Sequence, residues 1–207
     1  MIEQGSPEWF AQRLGKVTAS RVADVIAKTK TGYSTSRDNY MAQLVCERMT
    51  GTVAESYTNS AMQHGIDNEP LARAAYESIK DVLVDEVAMI THPTIEMAGA
   101  SPDGLVEDDG LVEIKAPQTN THIDTLLSQT VPGKYITQMQ WQMACTGRKW
   151  CDFVSFDPRM PEDLRLFIKR VDRDDKLIAE LESEVVKFLK ELDEKIEKLN
   201  KLKENNG

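Results

Sequence analysis

The stretch from Ser101 to Lys115 constrains this chain more than any other. Ser101-Pro102-Asp103-Gly104 is followed, after Glu107-Asp108-Asp109-Gly110, by Leu111-Val112-Glu113-Ile114-Lys115. Proline, glycine and the short acidic run mark turns, and the apolar run beyond them reads as a strand. Side chains on a strand alternate between faces, so Glu113 and Lys115 share one face while Val112 and Ile114 are buried on the other. With Asp103 ending the preceding strand of a hairpin, its carboxylate stands beside that of Glu113. Two carboxylates and a carbonyl, that of Ile114, form a hard-oxygen site suited to Mg²⁺, with Mn²⁺ as a substitute. Lys115 would orient or deprotonate a metal-bound water and offset charge on a phosphate, the parts that phosphodiester hydrolysis requires. The competing reading is a solvated hairpin whose charges fall there by chance.

Around this hairpin the chain is organised as helices, then a sheet, then helices. Residues 7–28 read as a helix started at Pro7, a break at Gly15, and a second helix capped by Thr18 or Ser20. Residues 28–36 read as a mobile polar loop with cations. Residues 37–50 and 59–80 carry apolar positions at helical spacing, among them Leu71, Ala74, Ala75 and Ile79. From 82 to 115 short apolar segments broken by turn residues read as a β-meander. Residues 134–146 return to helix, and Trp150–Phe156 reads as a strand. From Asp172 a long amphipathic helix carries Ile178, Leu181, Val185, Leu189, Leu192, Ile196 and Leu199 at three- and four-residue steps. The expected fold is mixed α/β (α+β), with a nuclease domain over 1–171 and a helix over 172–207 that packs on it and frays at its end. A self-associating coiled coil is the alternative for that helix.

Composition narrows the function classes. No apolar run approaches the ~20 residues of a membrane span, and the N-terminus has no signal-like segment, so the expected compartment is the cytoplasm. Cys46, Cys145 and Cys151 are an odd, widely spaced set, which reads as reduced, buried thiols and excludes a four-cysteine cluster. A net charge of −9 counts against a protein that simply coats DNA. An acidic chain still binds DNA when its cations cluster where the phosphates pass and its excess carboxylates lie elsewhere.

Further groups join the hairpin. Gly65-Ile66-Asp67-Asn68-Glu69-Pro70 reads as a helix start with Glu69 pointing inward, a further acidic candidate. Gln138-Met139-Gln140 places amides on a later helix, free to meet the metal's waters or a phosphate. Taken with Arg13-Leu14-Gly15-Lys16-Val17-Thr18-Ala19-Ser20, His64-Gly65-x-x-x-Glu69, Glu113-x-Lys115-x-Pro117 and Tyr135-x-x-Gln138-x-Gln140, the chain resembles the phage lambda exonuclease (YqaJ-type) branch of the PD-(D/E)xK nucleases. The likeness runs from Trp9 to Pro158-Arg159-Met160.

The resemblance implies a PD-(D/E)xK core and a Mg²⁺-dependent 5′→3′ exonuclease acting on double-stranded DNA ends. It also implies a homotrimeric ring and a single-strand annealing protein as partner in phage recombination. Asp103, Glu113 and the Ile114 carbonyl become the metal ligands, Lys115 the catalytic lysine, and Glu69 and Gln138 further members of the catalytic set. Arg13, Ser20 and Ser101 match a pocket for a terminal 5′-phosphate. Trp9, Lys30, Met62 and Tyr135 match DNA contacts, with Met62 at the place of a strand-separating wedge. One departure is that Gln118-Thr119-Asn120-Thr121-His122 lacks the family's arginine, and His122 or Lys134 would stand in for it.

Other readings compete at several positions. Trp9 would equally serve as a packing anchor and Met62 as core filler, while Trp141 and Trp150 read as core. The cations Lys28, Lys30 and Arg37 read as a DNA-contacting loop or a plain connection. The whole chain reads as an exonuclease, a related endonuclease or an inactive DNA-binding relative. An endonuclease has no terminal phosphate to hold, and an inactive relative would be expected to have lost Asp103, Glu113 or Lys115.

Overall fold

The structure is a computed structural model and describes residues 2–53 and 60–205. The chain enters through α1 (Pro7–Arg13), where Ser6 caps the helix by accepting the Trp9 N–H at 3.2 Å. Gly15, at φ +66°, turns the backbone into β1 (Val17–Thr18), a 3-10 turn (Ala19–Arg21) and α2 (Val22–Ile26). Residues read as a loop instead form a tight hairpin, β2 (Lys28–Thr29) against β3 (Gly32–Tyr33). Helix α3 (Thr35–Thr50) follows and closes at the left-handed Gly51.

Helix α4 (Ser60–Lys80) begins before Gly65, so the Gly65–Pro70 segment lies inside it rather than at its start. Pro70 within the helix removes one backbone donor, the feature that made this segment resemble a helix start. Its buried face is Ala72 and Tyr76, whereas Leu71 and Ile79 point outward. Five short strands come next: β4 (Val84–Asp85), β5 (Ile90–Thr91), β6 (Ala98–Ala100), β7 (Gly104–Val106) and β8 (Gly110–Lys115). They are not one meander, because they divide between two sheets. Two helices the chain needs to return across the sheet, α5 (Thr119–Ser128) and α6 (Gly133–Thr146), lead to β9 (Trp150–Phe156), β10 (Leu166–Asp172) and α7 (Asp175–Asn205).

The larger sheet has the order β10-β9-β8-β7-β4, with β8 and β9 parallel and the other pairs antiparallel. The smaller one runs β1-β6-β5. On one face of the larger sheet Val112, Ile114 and Val154 pack on Ala72 and Tyr76 of α4. On the other, Leu111, Cys151 and Phe153 pack on Met139 and Met143 of α6. Strand β8 is thus covered on both sides, which buries Glu113 completely.

A third cluster joins α2, α3, α6 and α7 around Tyr40, Leu44, Trp141, Leu181, Val185, Phe188 and Leu192. Fully burying such side chains contributes about 1.5–3 kcal/mol each. Leu199 and Leu202, further along α7, are exposed. Arg37 is buried and donates to the Val25 carbonyl (3.1 Å) and to Glu191 of α7 (2.8 Å), so it is a structural tie and not a DNA-facing cation. Cys145 and Cys151 are buried as expected, but Cys46 is exposed, because it lies on the outer side of α3. Trp141 is fully buried, while Trp150 is half-buried beneath the Arg170 guanidinium at 3.5 Å. Among the described residues no helix is long and apolar enough to cross a membrane.

Candidate active site

The hairpin register pairs Gly104 with Val112, which sets Asp103 across from Glu113. Asp103 precedes the first strand of this hairpin rather than ending an earlier one, and it is fixed by accepting the Ile114 N–H at 2.6 Å. Glu113 is held from the α6 side. Its Oε1 accepts from Gln138 Nε2 (2.7 Å), its Oε2 from Gln142 Nε2 (2.6 Å), and Lys115 Nζ forms an ion pair with Oε1. Gln138 and Gln142 are one helical turn apart and face the same strand. The Lys115 ammonium also stands 5.3 Å from the ring centre of Tyr135, which stacks on Phe153.

The electrostatics are those of crowded carboxylates. Burial pushes the Asp103 carboxyl well above its ordinary range, and the Glu113 charge adds to this, against the opposing pull of Lys115. Burial lowers the affinity of Lys115 for its proton, but Glu113 and Asp103 outweigh it and hold the ammonium charged. Glu69 is half-exposed and bonded to Arg73 at 2.8 Å. Burial and the Glu113 charge raise it, while Arg73 and Lys115 oppose. Three acids and one lysine therefore share a poorly solvated volume.

That donor set fits Mg²⁺. The carboxylate oxygens are hard, the net charge is negative, and Mg²⁺ keeps several of its own waters, so it is held by one or two carboxylates. A dedicated protein cage is not present: no group of three or more His, Cys, Asp or Glu among the described residues encloses a metal position.

Beside this centre lies a second one. Ser101, two residues before Asp103, accepts from Trp9 Nε1 at 3.0 Å and from Arg13 Nη1 at 3.3 Å, and the Arg13 guanidinium lies 4.1 Å over the Trp9 ring. Arg13, Ser20 and Met62 line a cavity of about 310 Å³ together with Lys16, Arg21 and Tyr40. Helix α3 holds this wall in place. Glu47 accepts the Gly15 N–H (2.9 Å), Arg48 donates to the Gly15 carbonyl (2.8 Å), and the Tyr40 hydroxyl accepts the Thr18 N–H (3.2 Å). A side chain at position 15 would collide with Arg48 Cγ, 2.6 Å from where its Cβ would lie.

Several expected residues are placed elsewhere. His122 is fully buried, with its ring bonded to Ser155 (2.7 Å) and the Leu164 carbonyl (2.9 Å), so it does not stand in for an arginine. Gln140 is buried between the Asp172 carbonyl (2.8 Å) and the Asp174 N–H (2.9 Å), where it joins β10 to α7 and is not free for a ligand. Gln138 is likewise engaged, with Glu113. Lys134 lies beside Tyr135 at 4.8 Å, and Lys30 is exposed at the β2–β3 turn, on a different element from the carboxylates. Gln142, Glu47, Arg48 and Tyr40 were not anticipated from sequence. Gln142 had a signal, since it repeats Gln138 one turn later.

Residues 8–149 match the model of the YqaJ-like viral recombinase domain. The chain belongs to this family. Among solved structures, the YqaJ-like chain is similar to the alkaline exonuclease LHK-Exo from Laribacter hongkongensis. The two are 54% identical, with a TM-score of 0.92 over 98% of this chain and 100% of that one. LHK-Exo in complex with dAMP matches equally well, at 54% identity and a TM-score of 0.93. A phage-related exonuclease from Haemophilus somnus shares the fold at 17% identity, with a TM-score of 0.73 over 89% of this chain and 96% of that one. No curated protein matches the chain significantly. This YqaJ-like protein is an exonuclease, and its mixed α/β fold with a long C-terminal helix is that of LHK-Exo.

Proposed function

We propose that the protein is a Mg²⁺-dependent 5′→3′ exonuclease that digests one strand of linear double-stranded DNA from 5′-phosphorylated ends. The 3′ overhang it leaves would be used by a single-strand annealing protein in phage-type recombination, and the enzyme would work as a homotrimeric ring threaded by the duplex. One observation carries the cleavage reading: Ser101, bonded to Arg13 and Trp9, stands two residues from Asp103, so a hydroxyl and a guanidinium suited to a terminal phosphate adjoin the carboxylate centre, and the same Arg13 lines the cavity shared with Ser20. An endonuclease has no use for such a neighbour. A deoxynucleoside 5′-monophosphate in LHK-Exo agrees with a site that handles deoxynucleotides.

Asp103, Glu113 and the Ile114 carbonyl would hold Mg²⁺, which supplies charge to polarise the phosphoryl oxygen and acidify water. Lys115 orients the attacking water and offsets charge on the phosphate. Gln138 and Gln142 keep the Glu113 carboxylate in one orientation. Glu69 adds negative charge at the rim. Arg13, Ser20 and Ser101 hold the terminal phosphate, while Trp9, Met62, Tyr135 and Lys30 contact the strands. Water attacks phosphorus, the bond to the 3′ oxygen breaks, and a 5′-mononucleotide leaves. The shortened strand then carries a new 5′-phosphate that fits the same cavity.

A linear duplex labelled at either end tests this directly. Mg²⁺ should support release of 5′-label as mononucleotide, EDTA should stop it, and Ca²⁺, with longer and looser coordination, should suppress it. Internal cuts, or release from the 3′ end, would overturn the reading. With 5′-phosphate and 5′-hydroxyl ends compared, R13A should lose most of the preference for phosphate. A charge-assisted contact is worth about 1.5–3 kcal/mol, so the discrimination should fall roughly ten- to a hundredfold. Undiminished preference in R13A would place the end pocket elsewhere.

A further inference from the structure

Past the carboxylate centre, the ends of the parallel strands β8 and β9 build a second cationic feature. Lys115 pairs with Ser155 in the register, so Pro117 and Asp157 lie just beyond, on adjacent strand exits. Asp157 is fully buried and accepts from Arg159 Nε (2.7 Å), Arg159 Nη2 (3.1 Å) and the Thr119 hydroxyl (2.6 Å). The guanidinium is thereby swung back towards the segment that leaves β8. There its Nη2 lies 3.4 Å from the Pro117 carbonyl and 3.4 Å from His64 Nε2. His64 is on α4, five residues before Glu69, and is tied down by Asn68. Arg159 therefore sits between two elements that both lead to the carboxylates, α4 through Glu69 and β8 through Lys115. Its side chain is 45% exposed, and its Nη1 makes no hydrogen bond to a described residue.

We infer that Arg159 is a nucleic-acid phosphate contact, gripping the backbone of the strand being digested next to the phosphate at the cleavage centre. This rests on the nuclease reading above. Two residues of extended chain separate Lys115 from Pro117, about 6.6 Å, which is of the order of the step between neighbouring phosphates. The salt bridge to buried Asp157 fixes the plane of the guanidinium in advance, so little side-chain freedom is lost when the outer edge meets an anion. A purely structural arginine would need no exposed edge and no station over the strand exit. His64 and Asp157 are its positioning residues, and the neighbouring site with Arg13 and Ser101 is a separate one for the strand's terminus.

Steady-state digestion of a 5′-phosphorylated duplex by the full chain, over a series of salt concentrations, decides it. R159Q should raise KM about tenfold with kcat within about twofold. The slope of log KM against log salt should fall by about one, because one phosphate contact is lost. R159K, which keeps the charge without the planar fork, should show the wild-type salt slope and a KM raised about threefold. If R159Q melts like the wild type yet keeps its KM and salt slope, the proposal is overturned. Should R159Q fail to fold, an unchanged KM in R159K overturns it instead. A wild type that releases no nucleotides from the duplex would count against the nuclease reading and not against Arg159.

Discussion

Replacing Asp103 by asparagine should abolish cleavage and make the protein more stable. The loss of turnover should be about a thousandfold or more, in line with single deletions in sets that act as a unit. D103N still accepts the Ile114 N–H through its amide oxygen, so the hairpin keeps its shape. The gain in stability follows from the proton linkage. Burial and the Glu113 charge hold the Asp103 carboxyl well above the usual range. Such a group contributes stability below the unfolded value, about 3.9, and loses it as pH rises through the higher folded value. In EDTA at neutral or alkaline pH the wild type should therefore melt a few degrees below D103N. Under acidic conditions the gap should close, and Mg²⁺ should narrow it by binding only the wild type. Equal melting points across the whole pH range would mean that the carboxyl is better solvated than its surroundings indicate.

Lys115→Ala should remove activity to a similar extent with the opposite effect on stability. K115A takes an ammonium from beside a fully buried carboxylate, leaving Glu113 with the two amides of Gln138 and Gln142. Breaking a fully buried pair costs about 3–5 kcal/mol. Because the Lys115 side chain is 28% exposed, about 1–3 kcal/mol is expected here. Duplex affinity in Ca²⁺ should stay within a few-fold of wild type, since Arg13, Ser101 and Arg159 are untouched. A K115A enzyme that binds DNA poorly but turns over normally at saturation would assign the lysine to binding and not to chemistry. Together the two variants separate charge crowding, which D103N relieves, from charge pairing, which K115A removes.

Periodicity made α3, α4, α6, β9 and α7 legible in the sequence. The hairpin of β7 and β8 was equally clear, from its turn residues. What escaped was decided by tertiary context. The α5 segment, Thr119–Ser128, is rich in polar and β-branched residues and becomes a helix as the return from β8 towards β9. β10 carries Lys169, Arg170 and Asp172, which mask any strand pattern, and it is defined by its pairing along all of β9. The cationic stretch around Lys28 is a hairpin because Tyr33 and Lys28 both reach Glu184 on α7, 151 and 156 residues away in sequence. At the site, Asp103, Glu113 and Lys115 could be nominated from spacing alone. Their amide supports, the Gly15 clamp from Glu47 and Arg48, and the folding back of Arg159 depend on elements far apart in the chain. No local pattern encodes them.

The parallel pairing of β8 with β9 has a consequence for how the enzyme comes into being. The hairpin that carries Asp103 and Glu113 closes between near neighbours, but β8 meets β9 only after α5 and α6 have formed and crossed the sheet. Pairings of this kind are slow because the intervening chain must be ordered first. Glu113 has no shelter or amide partners until α6 docks, and the α6 face is sealed only by β9, β10 and α7. On the ribosome, a chain that has emerged only as far as Lys115 carries both carboxylates yet no organised centre. Cleavage competence arrives with the final third of synthesis, so truncated or stalled products should be inert towards the DNA around them.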